Sequence, residues 1–63
     1  MKPGDLGKWK TSDRYFLVLD KVERPLPGGM VYSQHFIILC ENKIKEIPEG
    51  WMLRNTEVID EAG

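Results

Sequence analysis

IKEIPEGWMLRNTEVI, residues 44 to 59, is the stretch on which the reading of the fold turns. Trp51, Met52 and Leu53 stand side by side directly after the breaker run Pro48-Glu49-Gly50. Before them, Lys43 to Ile47 reads as a short strand that stops at Pro48. Ile44 and Ile47 are three apart, which breaks strict alternation and predicts a bulge or a strand end there. Trp51-Met52-Leu53 is too short for a helix of its own, and one 3₁₀ turn serves as a connector that brings two of the three side chains inward. Trp51 is expected among them. Arg54-Asn55 leaves that turn, and Thr56 to Ile59 reads as the last strand. A strand, a one-turn plug and a returning strand describe a segment that closes a small β structure.

Working outward, the same punctuation recurs. Pro3-Gly4-Asp5 is turn chemistry. Leu6 to Lys10 follows as a short strand weakened by Gly7. Tyr15 to Val22 is rich in β-branched and aromatic residues and suits a strand. Its centre, Phe16-Leu17-Val18-Leu19, is apolar on both faces, so both faces are expected to be partly covered. In Arg24-Pro25-Leu26-Pro27-Gly28-Gly29 the prolines block a helix and the glycines permit positive φ, which makes a loop between strands. Met30 to Cys40 is the longest β-like segment. Alternation gives one face to Met30, Tyr32, Phe36, Ile38 and Cys40 and the other to Val31, Ile37 and Leu39. Its polar middle, Ser33-Gln34-His35, predicts a bulge. Glu41-Asn42-Lys43 is a tight turn with Asn42 at positive φ. Helical periodicity is nowhere long enough for an α-helix.

The chain of 63 residues makes one domain, residues 1–63. So short a domain buries only about 60% of the surface its unfolded chain exposes, so packing quality or association must supply stability. Cys40 is the single cysteine and His35 the single histidine, which leaves no intrachain disulfide and no zinc ligand set. Residues 1–24 carry six Lys/Arg against four Asp/Glu, and residues 41–63 carry three against six. A net charge of −1 is not the basic surplus of a duplex binder, in which phosphate contacts dominate affinity. The opening MKPGDLGKWK lacks the apolar stretch of a secretory signal, and the apolar runs Tyr15–Leu19 and Phe36–Cys40 fall far below the roughly 20 residues of a membrane span. Neither a membrane nor a cofactor is expected.

The stretches KPGDLGKWK, YFLVLDKV, FIILCENKIKEIP and NTEVI resemble the small SH3-like barrel proteins of tailed bacteriophages. In that group a chain begins with Gly-Asp-Leu, passes through a hydrophobic strand and ends in a Leu or Val-Ile pair. Gly7 departs from the apolar residue expected beside Leu6. The resemblance implies an all-β fold, a small five-stranded SH3-like barrel with a 3₁₀ turn before the last strand. It also implies a phage source, and the fold by itself does not give a function.

No residue set specifies catalysis. His35 has no Ser or Cys nucleophile at a telling spacing, the carboxylates are scattered, and Gly28-Gly29 precedes a strand rather than a helix. An enzyme is not expected. Trp51 is expected as core. Trp9, flanked by Lys8 and Lys10, is the aromatic residue expected to be exposed without a packing reason. With Leu6 facing inward, alternation turns Lys8 inward too and leaves Trp9 outside, unless Gly7 permits a bulge that turns Trp9 in. Trp9 is therefore the expected anchor of a partner interface, with Lys8, Lys10, Arg14, Tyr15 and Tyr32 around it. Two functions follow. One is a non-enzymatic structural or assembly protein, an accessory component of a phage particle such as a capsid decoration protein. Its partners would be a major capsid or other virion protein or copies of itself, and it would be assembled in the host cytoplasm. The other is an SH3-like module acting on nucleic acid, a peptide or a host protein inside the infected cell.

Overall fold

The computed structural model describes residues 1–61. Five strands form one antiparallel sheet: β1 (Leu6–Trp9), β2 (Tyr15–Pro25), β3 (Tyr32–Cys40), β4 (Lys43–Pro48) and β5 (Thr56–Asp60). A helix, α1 (Glu49–Asn55), lies between β4 and β5. The sheet order is β4-β3-β2-β1-β5. Among the described residues β4 and β5 do not pair with each other, so the sheet is open, and α1 packs against β3, β4 and β5.

Local chemistry explains the turns. Asp5 N–H donates to the Lys2 carbonyl at 3.1 Å, Pro3 sits at the second turn position and Gly4 has φ 92°, the arrangement of a type II turn. The β3–β4 hairpin turns on Glu41 (φ 53°) and Asn42 (φ 63°), so Glu41 shares the positive φ expected of Asn42 alone. Two residues at positive φ match the right-handed twist of the flanking strands.

The core lies on one face. Phe16, Val18, Phe36, Ile38, Cys40 and Met52 are buried, with Trp9 and Ile47 packed at its margin. Ile44 and Ile47 therefore face opposite sides of an unbroken β4, and no bulge separates them. The irregularity expected at Ser33-Gln34-His35 is absent from β3. It sits instead in β2, where Leu19 is the extra residue between Val18↔Ile38 and Asp20↔Ile37. A second shift in register lies between β1 and β5 at Leu6/Gly7.

Two expectations for residues 48–55 are corrected. The connector is an α-helix of seven residues, not a 3₁₀ turn. Pro48, read as a breaker, occupies the N-cap with φ −58°, where its missing N–H costs no hydrogen bond. Glu, Met, Leu and Arg favour a helix once it has started. The C-terminal end closes on itself: Thr56 N–H donates to the Met52 carbonyl, and Asn55 Nδ2 donates to the Trp51 carbonyl at 2.8 Å. Only Met52 of the apolar triplet is buried; Trp51 is 43% and Leu53 57% exposed. Met52, unbranched and flexible, is the side chain of α1 that joins the core cluster.

Candidate partner-binding surfaces

β1 and β2 pair as Leu6↔Leu17, Gly7↔Phe16 and Lys8↔Tyr15. Since Phe16 is buried, Gly7 and Trp9 face the core side, and Leu6 and Lys8 face out. The glycine is required by space. A β-carbon there would lie 2.6 Å and 2.8 Å from the two Cε atoms of the Phe16 ring, far inside van der Waals contact. The Phe16 ring thus occupies the room a side chain would need. This places Trp9 beside it, with ring centroids 5.1 Å apart, and Trp51 meets Trp9 edge-on at 5.5 Å. Trp9 is consequently half-buried with a packing reason, contrary to the expectation of an unsupported indole.

Trp9 forms part of an open cleft of about 310 Å³, with Thr11 and Ser12 of the β1–β2 loop, Arg14, and Lys45 from β4. The loop is held by the Ser12 N–H donating to the Trp9 carbonyl at 3.4 Å and the Arg14 N–H donating to Ser12 Oγ at 3.3 Å. Arg14 Nε pairs with Glu41 at 3.0 Å across two exposed side chains. Lys45 makes no ion pair among the described residues.

Of the anticipated interface residues, the structure brings Trp9 and Arg14 into this cleft. Lys10 is exposed on the adjoining loop, its N–H donating to the Asn55 carbonyl at 2.9 Å. Lys8 and Tyr15 are register partners on the opposite face, where Lys8 Nζ lies 3.6 Å from Asp13. Tyr32 is remote from all of them on the β2–β3 hairpin. Lys45 was not anticipated, because only the folding of β4 behind β3 brings it to the cleft.

The face opposite the core is apolar and open. Leu6, Leu17, Leu39 and Ile44 are successive cross-strand partners, a row that crosses four strands in register. Leu17 is 38%, Leu39 36% and Ile44 70% exposed. The apolar run Phe16–Leu19 is therefore fully covered on its core face and partly covered on the other, as its sequence suggests, with Leu17 and Leu19 each more than a third exposed.

Beyond His35↔Pro48 the sheet narrows to β2 and β3 alone, whose paired ends form a two-stranded arm. Its tip, Pro25 to Tyr32, carries no charged residue, and Met30 (91%), Val31 (60%) and Tyr32 (58%) are exposed. The root of the arm is tied by Arg24, whose Nε and Nη2 donate to the two oxygens of Glu46 at 3.1 Å and 2.7 Å, while His35 Nδ1 lies 3.2 Å from the same carboxylate. The hydrogen bonds from Arg24 hold the Glu46 carboxyl below its ordinary range, and the same contact raises Arg24.

No family model, curated protein or solved structure matches this chain. The surfaces themselves carry the functional argument.

Proposed function

We propose that this chain is a non-enzymatic assembly protein with the SH3-like barrel arrangement, acting as a small accessory component of a bacteriophage particle such as a capsid decoration protein. The barrel reading draws support from the strand order and from the helical connector before the last strand. The phage reading rests on the resemblance of the sequence stretches described above.

The observation that carries the assembly reading is the row Leu6–Leu17–Leu39–Ile44. Covering a Leu or Ile completely stabilises by about 1.5–3 kcal/mol. With these residues already partly covered, the row offers a partner roughly 3 kcal/mol. Contiguous apolar surface of this kind marks association sites in small proteins. For a domain of 63 residues, covering it also adds stability that the chain's own core lacks. The partner is a virion protein or another copy of this chain.

The test is quantitative mass spectrometry of purified particles from the source of this chain, with copies counted against the major shell protein. A fixed ratio that survives washing, and that falls when Leu39→Lys replaces the parent, supports the reading. Absence from particles while the protein is abundant in the cells that make them overturns it.

A further inference from the structure

Two cations, two hydroxyls and an indole meet in the cleft between the β1–β2 loop and β4, and the row of leucines on the opposite face does not use them. We propose that this cleft binds a carboxylate-bearing segment of a protein partner, an acidic peptide with an apolar residue beside its Asp or Glu. The proposal rests on the reading of the chain as a protein-binding module and assigns the site and chemistry of a second contact.

Each lining group has a part in it. Lys45 lacks an ion-pair partner among the described residues, so an arriving carboxylate meets a cation that no local acid has neutralised. Arg14 is paired with Glu41, but both side chains are more than half exposed, at 65% and 55%. Such a pair in water contributes little, and a guest carboxylate can take the guanidinium with a forked hydrogen bond. Thr11 and Ser12 supply hydroxyls at the rim. Trp9 is braced from behind by Phe16 and from the side by Trp51, so its free surface is a fixed apolar floor for the residue next to the carboxylate.

The number of cations at the site favours a short acidic peptide over nucleic acid. Arg14 and Lys45 are the two cations that line the cleft, and Glu41 stands beside Arg14. A phosphate backbone running past would meet that acid as well as the two cations, whereas a short peptide places one or two carboxylates on Arg14 and Lys45 alone.

The experiment uses the full chain carrying Trp51→Phe, which keeps the edge contact and leaves Trp9 as the sole indole. Its fluorescence is titrated at low salt with the blocked peptide Glu-Leu-Glu, with Gln-Leu-Gln, and with an oligothymidylate of the same length. Saturable binding of the Glu peptide is expected, with weakening of at least tenfold for the Gln peptide and in Lys45→Glu. Lys45 is an exposed edge-strand residue, and the thermal melt of Lys45→Glu checks that the fold is kept. Equal response to Glu and Gln peptides, parental binding by a folded Lys45→Glu, no saturable binding of the Glu peptide, or tighter binding of the oligothymidylate would each overturn the proposal. The titration needs only the isolated chain, so its failure leaves the count of copies in particles untouched.

Discussion

Gly7→Ala tests the most constrained contact in the fold. The added methyl would meet the Phe16 ring with two of its carbons at 2.6 Å and 2.8 Å, where about 3.4–4 Å is comfortable. Phe16 is 1% exposed, with Trp9 at 5.1 Å, so its ring has little freedom to retreat. Forcing an extra carbon into a close-packed site costs about 1–3 kcal/mol. Replacing glycine by alanine returns about 0.4–1 kcal/mol by restricting the unfolded chain. The net loss therefore spans about 0–2.6 kcal/mol and centres on about 1.3 kcal/mol, from a total of about 3–9 kcal/mol for a domain of this length. At about 4–8 °C per kcal/mol, that central value lowers the melting temperature by about 5–10 °C. Far-ultraviolet circular dichroism follows the melt, and urea titration checks that the slope is unchanged so that stability alone has altered. Phe16→Leu, which shortens the ring side, should cost less in the Gly7→Ala background than in the parent, with a coupling of at least about 0.5 kcal/mol. A Gly7→Ala protein that melts at or above the parent, or the absence of that coupling, would refute the account of why glycine stands here.

Other outcomes follow from the helix and from the root of the arm. Met52→Ala removes a fully buried side chain and should cost about 2–5 kcal/mol, while Trp51→Ala should cost about 1 kcal/mol because its main loss is the edge contact with Trp9. Urea midpoints of the two variants measure the order, and Trp51→Ala as the more damaging change would contradict the placement of α1. Glu46 has a lowered folded-state pKa, so its stabilisation is fully present above the unfolded carboxylate value and is lost as pH falls through the folded one. The stability difference between the parent and Glu46→Gln should therefore be present at neutral pH and close in acid. A difference that stays constant across that range would show that Arg24 does not tie the arm through this charge.

Much of the strand order was legible because Pro27-Gly28-Gly29 and Asn42 mark the β2–β3 and β3–β4 connections and Pro3-Gly4 marks the turn before β1. The β1–β2 loop, by contrast, shows itself only as a polar run, Thr11-Ser12-Asp13. The helix was not, since seven residues are too few to display a period and Pro48 looks the same whether it stops a strand or starts a helix. The choice of Met52 over Trp51 depends on which side of α1 packs against β3, β4 and β5, which three adjacent apolar residues do not reveal. Gly7 appeared as a defect in β1 when read alone, and only its register partner Phe16 explains it. The bulge at Leu19 left no mark, because the apolar run Phe16–Leu19 continues through it. Arg14 and Trp9 were foreseeable as neighbours from the register of β1 and β2, whereas Lys45 reaches the same cleft through two further strand pairings.

The extra residue at Leu19 has a mechanical consequence. A bulge bends and twists the strand that contains it, and this one lies in β2 between the core pair Val18↔Ile38 and the start of the arm. Leu19 thus sets the direction in which the arm points, while Leu26 to Val31 set what its tip can touch. Aim and contact are encoded at separate places in the chain. Deleting Leu19 would leave Val18 opposite Ile38 and Asp20 opposite Ile37, keep the tip chemistry and swing it to a new bearing. Exchanging residues 26–31 would retool the tip on an unchanged mount. Sequence drift in the loop can therefore explore new partners without moving the strand pairs that hold Phe16, Val18, Phe36 and Ile38 together.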